Sequence, residues 1–171
     1  EALPEADARQ VLSAVLDAAP DPASSGVLVT AAEGLPLALE LLAGAAGRTG
    51  VDPVVAKLAE AGRRRRDTKS ALIDGDDLPA PLVGALQAAY SALTPELQWR
   101  FRLLGVFGPG MLDLAALGTV WGDTELAVTE AAAAELAERS LLSNAPSGYR
   151  QHGAVRAYAA ELLEHSAETQ G

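Results

Sequence analysis

Four prolines, Pro4, Pro36, Pro53 and Pro95, each head a stretch whose apolar residues recur at helical spacing. Proline lacks a backbone N–H and holds φ near the helical value, so it suits the first turn of a helix and disrupts later ones. A chain punctuated this way builds short helices. Each begins where proline permits it and stops at the next glycine cluster. Aromatic residues make up only 4% of the chain, so Ala, Leu and Val must form the core. Ala and Leu favour helix over sheet. At 171 residues and 49% apolar content, the chain is long enough for one sizeable core or two small ones.

In the first half, the spacing of Leu12, Val15 and Leu16 predicts a helix from about Pro4 to Ala18. Asp21-Pro22 and Ser24-Ser25-Gly26 predict a break, followed by a short helix near Val27–Ala32. Gly34 interrupts, and Pro36 opens a helix through Leu37, Leu41 and Ala45 that ends at Gly47 and Gly50. Asp52 is placed to cap the next helix, with Pro53 at its first position and Val54, Val55 and Leu58 on its apolar side. Four such helices form a compact bundle. Arg63-Arg64-Arg65-Arg66 and Lys69 form the basic run of the chain. It reads either as a solvated helix face or as an anion contact. Asp67, Asp74, Asp76 and Asp77 lie close enough to cancel most of its field beyond a Debye length. The stretch from Asp74 to Pro79 reads as a linker, which divides the chain into residues 1–76 and 77–171.

The second half has another rhythm. A helix from about Pro81 to Leu93 carries Leu82, Leu86, Ala89 and Leu93 on one side. Thr94-Pro95 caps and opens the next, which buries Leu97, Phe101 and Leu104. Asp113 caps a short helix ending near Trp121-Gly122. Asp123 or Thr124 starts a longer one through Leu126, Ala133, Leu136 and Ala137. Leu141-Leu142 and Tyr149-Arg150-Gln151 flank Asn144-Ala145-Pro146-Ser147-Gly148, which reads as two short strands around a turn. Val155, Tyr158, Ala159 and Leu162 predict a final helix. The expected fold is therefore mostly α: a small helical bundle followed by a winged-helix subdomain with a short β-hairpin wing.

Several classes of chemistry lack their parts. There is no cysteine, so neither disulfides nor thiolate metal sites arise. His152 and His165 are too far apart for a helical metal pair. No G-x-x-x-x-G-K-[ST] phosphate loop and no G-x-S-x-G elbow is present, and Asp76-Asp77 sits in a polar linker that would not tune its acidity. No catalytic residue and no metal site is expected, and the chain is not expected to be an enzyme by itself. A formal net charge of −10 disfavours generic nucleic-acid binding. No apolar run approaches a membrane span and no signal peptide is visible. A soluble, cytoplasmic chain is expected, and the start at Glu1 reads as a trimmed or processed end.

Five stretches together resemble a known family: Gly34–Leu39 (GLPLAL), Ala85–Leu93 (ALQAAYSAL), Leu97–Phe107 (LQWRFRLLGVF), Ser140–Leu142 (SLL) and Tyr149–Ala159 (YRQHGAVRAYA). They are similar, in order and over nearly the whole chain, to STAND-type signalling ATPases with an NB-ARC module. The likeness is nearest to actinobacterial transcriptional regulators of the streptomycete antibiotic regulatory protein type. The resemblance implies the regulatory arm of an ATP/ADP-dependent switch that governs transcription, as in control of antibiotic biosynthesis. It implies that Pro36, with Gly34 and Leu35, lines the adenine side of the nucleotide, and that His152 contacts the β-phosphate of ADP, with Arg156 nearby. The implied partner is the nucleotide-binding domain of the same protein, and self-association would accompany activation. Two residues depart from the family pattern. Gln151 stands for a hydrophobic residue, and Gly153 for an aspartate that helps fix the turn before the last helix. Glycine adopts that turn but has no side chain to cap it.

Plainer roles compete at each position. Pro36 suits a helix start in any case. His152 reads equally as a strand-end histidine bonded to backbone, and Arg156 as a surface ion pair with Glu161. His165 reads as a partner of its own helix dipole, and Trp99, Trp121 and Tyr90 as core or domain-interface anchors. Two other functions remain open. One is a winged-helix DNA-binding transcription factor fragment, but the helix over Asp123–Glu138 carries five acidic residues and no Lys or Arg, so direct DNA contact is not expected. The other is a ligand-free helical module that offers apolar surface to a protein partner.

Overall fold

The computed structural model describes residues 4–15, 22–67 and 78–168. Its contacts divide the chain into two compact units, Glu1–Ala92 and Leu93–Gly171.

The first unit is helical: α1 (Glu5–Val15), α2 (Pro22–Ala32), α3 (Pro36–Thr49), α4 (Val51–Asp67) and α5 (Ala80–Ser91). Helix α3 touches each of the other four. It is buried from Ala38 through Ala46, apart from exposed Glu40. A helix apolar nearly all round belongs at the centre of a bundle, and its Ala and Gly positions admit close neighbours. Helix α5 buries Leu82, Val83, Ala85, Leu86, Ala88 and Ala89. It packs on α3 and α4, so it joins the first unit, and the division falls after Ala92 rather than at 76/77. The expected break at Asp21–Gly26 is also absent over its described part: Pro22 begins α2 and Ser24, Ser25 and Gly26 lie within it. Proline at a first helical position is compatible with that start, and buried Ser25 joins the packed face. Pro53 stands third in α4 rather than first. The four arginines 63–66 fall on the final turns of α4, where only the backbone is described. Their side chains, Lys69 and the 74–77 stretch lie outside the described residues.

The second unit runs α6 (Pro95–Leu103), a 3-10 turn (Leu104–Val106), β1 (Met111–Leu112), α7 (Leu114–Trp121), α8 (Leu126–Glu138), β2 (Ser143–Ala145), β3 (Gly148–Arg150) and α9 (Gly153–Glu168). The three strands form one antiparallel sheet in the order β1-β3-β2. Leu112 pairs with Tyr149, and Asn144 with the same Tyr149. Helices α6, α7 and α8, the β2–β3 hairpin and the short strand β1 that completes the sheet are the elements of a winged helix, as expected, and α9 follows the wing. Strand β1 was not foreseen, because two residues carry no readable alternation. Thr94 caps α6 by accepting from the Leu97 N–H at 3.3 Å, and Asp113 caps α7 by accepting from Ala116 at 2.7 Å. The core gathers Leu97, Phe101, Leu104, Leu117, Trp121, Leu136, Leu141, Tyr158 and Ala159. Phe101 and Tyr158 meet in a tilted ring contact at 6.2 Å. Trp99, read as a core or domain-interface anchor, is 43% exposed, and Leu126, at the start of α8, 58%.

Among the described residues no helix is long and apolar enough to cross a membrane.

Candidate functional site

The residues singled out from the sequence lie in both units, and each group is built differently. In the first unit, α2 ends at a tight turn. Glu33 and Gly34 both adopt positive φ, 48° and 71°, and the Leu35 N–H closes the turn on the Ala32 carbonyl at 2.9 Å. Glycine takes the left-handed conformation without strain, so Gly34 suits the turn, and it is buried. Leu35 is the N-cap of α3, with extended backbone and no side-chain cap, and Pro36 follows in the first turn. Pro36 is exposed and Leu35 half-buried. The turn thus presents a rigid proline ring at an uncapped helix start, where amide N–H groups lack intrahelical partners.

In the second unit, the hairpin delivers the chain to α9 through Gln151 and His152. The His152 carbonyl accepts the Arg156 N–H at 3.0 Å, which makes His152 the N-cap of α9. Its ring Nδ1 accepts from the Ala154 N–H at 3.2 Å. The imidazole therefore performs the capping that an aspartate at position 153 was expected to share, and the glycine there costs the helix no cap. A neutral imidazole that accepts at Nδ1 carries its proton on Nε2. His152 is exposed, so that Nε2–H is a donor free of the cap.

Arg156 stands one turn further along the same helix. It forms no ion pair with Glu161, and its Nε is buried without a hydrogen-bond partner. Both polar atoms of the Gln151 amide are likewise buried and unpartnered. A helix N-terminus carries partial positive charge. Here it is joined by an imidazole N–H and by a guanidinium whose Nε has no partner, which together favour an anion. His165 instead faces its own helix, with Nδ1 3.0 Å from the Glu161 carbonyl. His152 and Arg156 are brought together by helical spacing; Gly34, Leu35 and Pro36 form a separate turn in the other unit.

A polar cluster that sequence reasoning missed lies among α6, α7 and α8. Arg100 makes a two-pronged pair with Asp123, at 2.5 and 2.8 Å. Their side chains are only 6% and 8% exposed. Asp123 also accepts from the Thr129 hydroxyl at 2.9 Å. The Trp121 indole N–H donates to the Arg100 carbonyl at 3.0 Å, while the guanidinium lies 5.2 Å from the Trp121 ring centroid. The hydrogen bond from Arg100 holds the Asp123 carboxyl below its ordinary range against the opposing effect of burial. The same bond raises Arg100. Asp123 is consequently not the cap of α8; Glu125 takes that position without a side-chain cap. The sequence held one weak signal, a pair of charges inside apolar segments, but their 23-residue separation concealed the pairing.

Beside this cluster runs an open groove of about 410 Å³. Thr94, Leu97 and Arg100 of the α6 side, and Ala127, Val128 and Ala131 of α8, are among its lining residues. No protein-family model matches the chain, and no curated protein matches it. The chemistry of each site therefore rests on its own geometry.

Proposed function

We propose that this chain is the regulatory arm of an ATP/ADP-dependent switch in a transcriptional regulator. In this reading it reports the nucleotide state of a phosphate-binding domain carried elsewhere in the same protein. The observation that carries the proposal is the His152 cap. Tying Nδ1 to the Ala154 amide orients the ring and leaves Nε2 directed away from the cap, at the start of the helix that carries Arg156 one turn on. A diphosphate offers the acceptor oxygens that such donors need. The uncapped start of α3 at Pro36, with its rigid exposed ring, supports an apolar contact to a purine. ADP retention would hold the winged-helix unit in one arrangement. A triphosphate would shift it only through its difference in affinity for the two states.

Direct DNA reading is disfavoured on the same surface that would perform it. The exposed residues of α8 include Leu126, Ala127, Val128, Glu130, Ala131 and Glu138, and Arg139 at its end is buried. That face offers no cation to a phosphate backbone.

The test uses the chain joined to its nucleotide-binding domain. His152→Asn keeps a good N-cap residue but removes the outward ring donor. It is expected to speed ADP release and raise basal activity. An ADP off-rate equal to that of the unsubstituted protein would sink the proposal, because the cap survives and only the donor is lost.

A further inference from the structure

We infer that the groove between α6 and α8 is a docking site for a basic amphipathic helix of a partner protein. Its apolar lining comes from Leu97, Ala127, Val128, Ala131 and Ala132. Alanines leave the α8 side shallow, so a partner must bring the bulk: large aliphatic side chains at i, i+3 and i+4. Val128 is 44% exposed and Leu126, at the start of the same helix, 58%. Trp99, on α6 outside the groove lining, is 43% exposed and can report on changes in that helix.

Charge selects the occupant. Glu96 and Glu135 flank the groove, the Glu96 side chain being 72% exposed. Glu125, Glu130 and Glu138 add exposed carboxylates on and before α8. Arg139 pairs with Glu135, whereas Arg100 is shared between two carboxylates, Asp123 and Glu96, so the negative excess comes from the second carboxylate on Arg100 and from exposed Glu125 and Glu130. The rim therefore presents negative charge, which attracts Lys and Arg and repels phosphate, anionic lipid or a second acidic copy of this same face. An apolar floor within a carboxylate rim fits a helix with one leucine-rich face and flanking basic residues.

The test titrates the whole chain with a helical Leu/Lys peptide of about 18 residues, long enough to hold helix. Trp99 fluorescence and amide shifts serve as readouts. A Leu/Glu peptide of the same spacing and a scrambled Leu/Lys peptide are the controls. Saturable binding of the Leu/Lys helix alone is expected, with shifts confined to α6 and α8. Ala131→Arg places charge and bulk at an exposed groove position and should weaken binding roughly ten-fold. Ala115→Arg, an equal charge change on exposed α7, should alter it less than about two-fold. The inference is overturned if nothing binds, if either control peptide binds as well, or if both substitutions weaken binding equally. Perturbation of α8 by duplex DNA at low salt would overturn it too, by showing a face that accepts phosphate.

Discussion

Gln151 carries both atoms of an amide into a place where neither finds a partner. A buried polar group left without a hydrogen bond destabilises by about 1–3 kcal/mol. Gln151→Leu should therefore raise the midpoint of chemical unfolding, by on the order of 1 kcal/mol after the new side chain is accommodated. A fall in the midpoint would show that the amide meets a partner in solution. His152 and Gly153 are the opposite case, a departure that local geometry absorbs. The ring nitrogen supplies the missing cap, which a motif comparison of residue types could not reveal. A Cβ at position 153 meets nothing within 4 Å. Gly153→Asp adds a carboxylate at the first turn of α9, and should stabilise by about 0.3–1 kcal/mol through the helix dipole. Thermal unfolding at low ionic strength measures it.

Among elements, the wing depends on one close approach. Gly148 has φ near +144°, and a Cβ there would lie 2.3 Å from the Leu112 carbonyl oxygen. Gly148→Ala must therefore push β1 from β3, with a cost of several kcal/mol from clash and left-handed strain together. The expected result is loss of amide-exchange protection at Leu112 and Tyr149 while α3 retains its own. Retained protection at both would refute the close approach. The hairpin itself was legible from the turn residues Asn144–Gly148, whereas its strands begin at Ser143 rather than Leu141. Leu141 and Leu142 are instead buried ahead of the sheet, because a packed apolar pair needs no strand to cover it. Caps with side-chain acceptors at Thr94 and Asp113 were legible for the same local reason. Asp123 was not, since a distant guanidinium outcompeted its own helix for the carboxylate.

At the scale of the molecule, charge and that buried ion pair set the response to conditions. The folded Asp123 carboxyl ionises more readily than in the unfolded chain, so its stabilisation is present above the ordinary carboxylate value and lost as pH falls through the folded value. Stability should drop below about pH 4, and Asp123→Asn should flatten that dependence. Asp123→Ala leaves buried Arg100 with only the exposed Glu96 as ion-pair partner and should cost about 3 kcal/mol at neutral pH. Urea unfolding across the acid range checks both, and a mutant curve parallel to the wild type would remove the pair from the account. What the sequence by itself determined is the helical character, the order of elements and most of their starts, because prolines, caps and apolar spacing act over a few residues. Where α5 packs, which carboxylate Arg100 holds, which way His152 turns its ring and which apolar side chains of α6 and α8 stay uncovered were decided only in three dimensions. Each depends on a competition between groups far apart in the chain, and local spacing carries no record of who wins it.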